Sequence, residues 1–297
     1  MACRFEVTLP PSTVRGVSLA NDALAEVEAL ESRLSIFKDE SAVSTVNRDA
    51  WLRPVKVDQQ LFALLTLCQQ LNVETEGAFD ITSGPLTRCW GFLKRAGRFP
   101  ADDEIASARA QSGSDKLLLD TETQTVRFKA PGVEINLGSI GKGYALDVVG
   151  KLFEDNHERA LLSAGNSSFR ATGEAGWLVG LRHPRDKSKR FAAVRMRGCA
   201  MSTSGSEEQF FDHDGRRFGH IIDPRSGWPA SIVSSVTVVA NSAAVSDALA
   251  TAFFIGGRSM AERYCEKHRD VLAIVLEEGA KNPVLIGAHD RCTVEWC

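Results

Sequence analysis

Hydrophobic periodicity switches repeatedly along this chain between a helical and a strand period, and that alternation constrains the fold more than any single motif. From Ser18 to Phe37 apolar residues recur at Leu24, Val27, Leu30 and Leu34, spacings of three and four that line one side of a helix, with Asn21 and Asp22 as candidate caps. Asp58 opens a second helix, in which Leu61, Leu64, Leu65, Cys68 and Leu71 share a face that ends before Gly77. Asp102 to Gln111 fits a third. Between Lys116 and Asn136 the pattern turns to short alternating runs, 116–120, 125–129 and 133–136, which read as strands separated by turn residues. A glycine-rich turn follows, then a helix from Lys142 to Phe153 with Ala145, Val148, Val149 and Leu152 inward. Further strands are expected near 159–163, 177–182, 191–197 and 234–240. A helix over 242–255 before a Gly-Gly stop, another helix and a strand over 271–276 complete the pattern. The interleaving has no regular βαβ period, so the fold class is α+β with antiparallel or mixed sheets.

At 297 residues the chain can bury roughly three quarters of its unfolded surface, and residues 1–297 are read as a single domain. A formal net charge of −3 supplies no basic field for nucleic acid, so partners have to be argued from sites. The seven cysteines are odd in number and form no CxxC pair, which favours reduced thiols over a disulfide framework or a zinc ribbon. No run of eighteen apolar residues occurs, and the opening residues alternate like a strand instead of forming a charged-then-apolar signal. The expectation is a cytoplasmic protein with no membrane segment, or an exported one if the start is trimmed.

Gly138-Ser-Ile-Gly-Lys-Gly143 sits before a helix, where backbone N–H groups and the positive helix end can hold a phosphate, and Lys142 favours an anion. It is not a Walker A loop, which needs four residues between its first Gly and the Gly-Lys pair where this chain has two. A tight turn with no ligand is the plainer reading. Asp247 and Thr251 are four apart and project from one helix face, a pair of hard oxygen donors suited to Mg²⁺. A solvated Asp and a Thr bonded back to its own helix would give the same pattern. His220 precedes Asp223-Pro-Arg-Ser-Gly227, a turn by composition, and is either a general base aimed by that turn or a structural histidine. Gly77 to Leu86 and Trp90-Gly-Phe92 carry Phe79, Trp90 and Phe92, which either line a pocket for a planar ring or pack in the core. Asp80, a carboxylate among apolar residues, needs a partner.

In this order, the segments resemble the ApbE family of FAD:protein FMN transferases. The matching elements are Met1-Ala-Cys3, Leu34-Ser-Ile-Phe37 with Glu40-Ser41 and Asn47, Phe79-Asp-Ile-Thr-Ser-Gly-Pro-Leu86 with Trp90-Gly-Phe92, and Asn136 through Asp147. Thr203-Ser-Gly205, His220 through Gly227 and Ser246-Asp-Ala-Leu-Ala-Thr251 complete the set. The resemblance implies an ApbE-like fold with flanking helices and a flavin cleft between two intertwined lobes. It also implies Mg²⁺-dependent transfer of FMN from FAD to a threonine or serine of an acceptor protein, with release of AMP. Carried over residue by residue, it implies Asp247, Thr251 and an oxygen of Ser139 as metal ligands. FAD contacts would come from Phe37, the Ala78-Phe79-Asp80 loop, Asn136 and Lys142, and His220 would be the base for the acceptor hydroxyl.

The chain departs from the family pattern in three places. Asn136 stands where the family usually has Asp, Ala164-Gly-Asn-Ser-Ser168 replaces a Gly-Gly-Asp/Asn segment, and Met-Ala-Cys replaces Met-Gly-Thr. An FAD pyrophosphatase giving FMN and AMP is a second enzyme reading. A flavin-binding or scaffold protein without turnover is a reading from another class, motivated by Asn136 and the altered Ala164-Gly-Asn turn.

Overall fold

Helices and antiparallel strands alternate through the computed structural model, which describes residues 3–184, 186–206 and 209–297. Met1 and Ala2 of the Met-Ala-Cys element lie outside the described residues. In chain order the elements are β1 (Phe5–Thr8), α1 (Gly16–Leu34), α2 (Ala42–Asp49), β2 (Val55–Lys56), α3 (Gln59–Glu74), α4 (Gly84–Cys89), α5 (Asp102–Ala110), β3 (Leu117–Asp120), β4 (Thr125–Phe128), α6 (Gly141–Asp155) and β5 (Leu161–Ala164). They continue with β6 (Ser168–Ala171), β7 (Trp177–His183), β8 (Asp186–Met196), β9 (Ala200–Gly205), β10 (Phe210–His213), β11 (Arg216–Gly219), β12 (Val233–Ala240), α7 (Ala243–Lys267), β13 (Leu272–Glu277), β14 (Val284–Gly287) and β15 (Cys292–Trp296). This is the α+β class expected from the interleaved periods. Two compact units share the chain: residues 1–31, 140–205 and 233–297 form the first, and residues 32–139 and 206–232 the second.

The first unit is built on a seven-stranded sheet in the order β1-β5-β6-β9-β12-β13-β14, with every neighbour antiparallel. Every residue of β12 is buried, because both faces of the sheet are covered. On one face Val239, Leu272, Ile274 and Met201 pack with Val179, Leu181, Val194 and Met196 of the three-stranded sheet β15-β8-β7. On the other, Leu162, Ala164 and Ala200 pack with Leu19, Ala23 and Val27 of α1 and with Leu146, Val149 and Phe153 of α6.

Two helical stripes differ in phase from the sequence reading. In α1 the buried line is Leu19, Ala23, Val27, Leu30 and Leu34, while Leu24 is 38% exposed and Asn21 and Asp22 lie inside the helix, which begins at Gly16. In α6, Ala145 and Val149 are buried as expected, but Leu146 and Phe153 take the inward positions given to Val148 and Leu152, which are half-buried. The Gly-Gly pair after residue 255 interrupts the helix as expected: Gly257 takes a non-helical conformation (φ 69°, ψ −168°), and a second helical stretch follows to Lys267.

In the second unit, Asp58 caps α3 as expected, its carboxylate accepting the Leu61 N–H at 2.9 Å. The expected α5 and the strands β3 and β4 also form, within the sheet β2-β4-β3. Residues 133–136 are not a ladder strand. Their backbone bonds go instead to the Asn47 side chain, which accepts the Ile135 N–H at 2.7 Å and donates to the Ile135 carbonyl at 2.9 Å, and to the Ile81 carbonyl, which accepts the Asn136 N–H at 2.7 Å. Asn47 is held on α2, a short helix capped by Ser41 that the apolar periodicity did not signal. Trp90 and Phe92 belong to a core with Leu86, Ile105 and Ile222, and the Trp90 indole N–H donates to the Gly227 carbonyl at 2.9 Å. The hairpin β10–β11 adds Phe211 and Phe218, the latter stacked on Trp90 at 5.7 Å between centroids.

Helices α6 and α7 meet so closely that a Cβ on Gly143 would lie 2.0 Å from the Ala243 carbonyl oxygen. Gly→Ala inside a helix ordinarily gains up to about 1 kcal/mol. Here the obstacle is backbone, so overpacking decides the sign, and Gly143→Ala is expected to cost about 2 kcal/mol or more in denaturant unfolding. Gly219→Ala, where a Cβ meets nothing within 4 Å, is the matched control and should stay within about 0.5 kcal/mol of the parent.

Candidate functional site

The α6–α7 crossing brings together Lys142 and Asp247 of the first unit. Asp247 is only 5% exposed. Its Oδ1 accepts the Lys142 ammonium at 3.1 Å and the Ser168 hydroxyl at 3.3 Å, and its Oδ2 accepts the Gly143 N–H at 3.1 Å. Gly143 is in the first turn of α6, where backbone N–H groups have no intrahelical acceptor. The anion expected at this turn is thus, in part, the chain's own carboxylate. A solvated Asp247 is ruled out by this burial and by its three donors. Thr251 is half-buried, and its hydroxyl donates weakly to the Asp247 carbonyl at 3.4 Å, the back-bonding that its spacing also allowed.

Ser168 carries no motif of its own and was missed from the sequence. It opens β6 directly after the turn Ala164-Gly-Asn-Ser, where Gly165 (φ 62°) and Asn166 (φ 56°) both take left-handed backbone conformations. The altered turn is therefore well formed, and it delivers a hydroxyl to Asp247.

The second unit holds the remaining expected residues. A cavity of about 470 Å³ is lined by Ile36, Phe37, Asn47, Arg48, Glu134 and Asn136, among others. Phe37 is 68% exposed, so its ring is available for stacking. The Asn136 side-chain oxygen accepts the Gly138 N–H at 2.9 Å and shapes the start of the glycine-rich turn. Ser139, half-buried, ends the first of this unit's two segments.

The Ala78-Phe79-Asp80 loop is held by hydrogen bonds within the second unit. Ala78 and Phe79 are buried, and the Phe79 carbonyl and N–H are engaged by Asn72 and Thr75. Asp80 has the partners a buried carboxylate requires: Oδ1 accepts the Thr82 N–H and hydroxyl, each at 2.7 Å, and Oδ2 accepts the Ser114 N–H at 2.9 Å. Burial pushes the Asp80 carboxyl above its ordinary range, against the pull of those hydrogen bonds. The Phe79 backbone and the Asp80 carboxylate thus brace the loop internally.

His220 is half-buried, with its ring edge-on to Phe92 at 6.4 Å. Its Nδ1 lies 3.1 Å from the Gln209 carbonyl oxygen, which can only accept. That contact assigns the proton to Nδ1 and leaves Nε2 as the basic nitrogen. The turn that follows is rigid. The Asp223 carboxylate holds Arg225 through Nε and Nη2 at 2.9 Å each, the Gly227 N–H donates to the Asp223 carbonyl at 2.8 Å, and the Asp223 N–H donates to the Trp228 carbonyl at 2.8 Å.

Lys142, Asp247 and Thr251 thus share one unit, and Phe37, Ala78, Phe79, Asp80, Asn136, Ser139 and His220 share the other. Among the described residues no group of three or more His, Cys, Asp or Glu could hold a metal. A cation at Asp247 would therefore be held mainly by hydroxyl, carbonyl and water oxygens. No described helix is long and apolar enough to cross a membrane.

The sequence profile of the ApbE family matches residues 1–276. A protein of Escherichia coli K12 named FAD:protein FMN transferase is 30% identical over 275 residues, covering 89% of this chain and 78% of that protein. One from Klebsiella pneumoniae with the same name is 32% identical over 265 residues, covering 86% of this chain and 76% of that protein. Among solved structures, the ApbE protein from Thermotoga maritima superposes with a TM-score of 0.86 at 28% identity, covering 96% of this chain and 93% of that one. The flavin transferase ApbE from Vibrio cholerae shares the fold, with a TM-score of 0.84 at 24% identity over 97% of this chain and 94% of that one. With a family match that spans most of its length and relatives this similar, the chain belongs to the ApbE family.

Proposed function

We propose that this protein transfers the FMN half of FAD to a threonine or serine hydroxyl of a partner protein and releases AMP, with Mg²⁺ as cofactor. The observation that carries the reading is the buried Asp247, bonded to Lys142 and to the α6 N-terminus, in a chain of the ApbE family. In this reaction the P–O–P bond of FAD breaks, a P–O bond to the acceptor oxygen forms, and the hydroxyl proton leaves for a base. Charge neutralisation and positioning dominate such transfers.

The donor set suits Mg²⁺, which takes hard oxygens and keeps several waters. The Asp247 carboxylate and the Thr251 hydroxyl would hold it, with an oxygen of Ser139 proposed as a third donor. When bound it would offset charge on the pyrophosphate and on the departing AMP. The Lys142 ammonium, already turned to one carboxylate, is suited to binding phosphate oxygens. Phe37 offers an exposed ring for flavin stacking, and Asn136 lines the same cavity. Nε2 of His220 would take the acceptor proton, with Nδ1 held by the Gln209 carbonyl. The Ala78-Phe79-Asp80 loop supports FAD binding through its braced shape.

Purified protein, FAD and an acceptor domain bearing a target threonine, with Mg²⁺ or EDTA, test the reading by intact mass and free nucleotide. The expected result is an FMN-sized gain on the acceptor with matching AMP, present with Mg²⁺ and absent with EDTA. AMP and free FMN without the mass gain would mean hydrolysis, and unchanged FAD would mean a binding protein. Asp247→Ala is expected to lower Mg²⁺-dependent transfer by at least about 100-fold, and full retention would sink the ligand assignment.

Replacing His220 with Ala should slow acceptor modification by about 10²- to 10⁴-fold while FAD binding, followed by flavin fluorescence, stays within about twofold. Equal losses in binding and transfer would instead assign His220 to FAD recognition.

A further inference from the structure

Asp147 lies one turn beyond Gly143 on α6, and its carboxylate covers the start of α7. Oδ1 accepts the Ala243 N–H at 2.8 Å, while Oδ2 accepts the Ala244 N–H at 2.9 Å and the Ser242 hydroxyl at 2.6 Å. Ser242, the N-cap of α7, accepts the Val245 N–H at 3.3 Å. The first three amides of α7 are therefore all satisfied, two of them by a residue from another helix. Asp247, one turn along α7, does the same in reverse for α6 through the Gly143 N–H and Lys142. Each helix thus caps the other with a carboxylate one turn from the point where Gly143 meets Ala243.

We infer that Asp147 is a positioning residue for the reaction: by holding the first turn of α7 it sets where the Asp247 carboxylate sits relative to Lys142 and the Gly143 amide. A purely local cap for α7 is already present in Ser242. What Asp147 adds is registration between two helices, because its bonds cross from α6 to α7. It touches none of the proposed metal donors and acts on Asp247 only through the turn Ala243–Asp247. Outer partners of this kind commonly change metal affinity by 10- to 100-fold. The inference rests on the proposed role of Asp247 as a metal ligand, but the geometry it asserts can be read without any metal.

The test uses the full-length protein as wild type, Asp147→Ala and Phe153→Leu. Phe153 is a buried α6 residue in the core against the sheet, so its substitution loosens the helix without removing any of the carboxylate bonds between α6 and α7. Amide hydrogen exchange is followed at Gly143, whose N–H donates to Asp247 and not to the Asp147 carboxylate, and Mn²⁺ binding in the presence of FAD is followed by electron paramagnetic resonance. In Asp147→Ala, exchange at Gly143 is expected to quicken about fivefold or more. Mn²⁺ affinity should fall about tenfold or more. Phe153→Leu should lower the melting temperature and leave both readouts near wild type. Unchanged Gly143 protection in Asp147→Ala, or equal losses in Phe153→Leu, overturns the inference. Wild-type protein that binds no Mn²⁺ removes the metal assignment of Asp247, and the Gly143 exchange then decides the positioning role alone.

Discussion

The close crossing of α6 and α7 is the constraint on which the rest of the first unit depends. With no Cβ on Gly143, the backbone of one helix can touch the Ala243 carbonyl of the other. Only at that separation can Asp147 reach the Ala243 and Ala244 amides, and Asp247 the Gly143 amide. Two helix N-termini, each a region of partial positive charge, are thereby neutralised by carboxylates from across the crossing. The arrangement also explains how Asp247 can be buried and Asp147 half-buried. Each has several N–H or hydroxyl donors within 3.3 Å, which offsets the cost of removing it from water.

Helices packed on the large sheet were legible in the sequence as periods, less so as phases. The run from Leu24 to Leu34 identifies α1, but Leu19 and Ala23 also fit its inward line, and only the sheet beneath decides which residues are buried. Asp58 was readable because a cap is a local device. Residues 133–136 were misread for the opposite reason. Their alternation is that of a strand, but their backbone partners, Asn47 and Ile81, are 88 and 55 residues away, and Glu134 makes only an isolated bridge to Ser83 instead of a ladder. The Gly-Gly pair at 256–257 was readable as a break because Gly257 takes a left-handed φ of 69° that a residue with a Cβ adopts only under strain, and a second helical stretch burying Met260, Ala261 and Tyr264 follows.

For the site, the residue types were visible and their pairing was not. Asp247, Lys142 and His220 each stand out from their neighbours in sequence. That Asp247 and Lys142 form an ion pair across 105 residues follows only from the crossing. Ser168 and Asp147 could not be read as partners of α7 from spacing, since their contacts span 79 residues and 95 to 97. The turn after His220 was legible from Asp223, Pro224 and Gly227, and its hydrogen bonds are those a turn of that composition makes.

The same geometry bears on why the constellation has a single buried acid beside a lysine. A site built to receive a free divalent cation gains from several carboxylates, each adding attraction in a poorly solvated place. On the proposed reaction the cation would serve a pyrophosphate, and every additional carboxylate would repel that anion. One Asp and one Lys make a pair of no net charge. The pair leaves the metal's charge for the substrate and gives Lys142 two possible anionic partners, Asp247 before the phosphate arrives and phosphate oxygens afterwards. Hydroxyl and carbonyl oxygens, which carry no formal charge, can then complete the metal's coordination without adding to the repulsion.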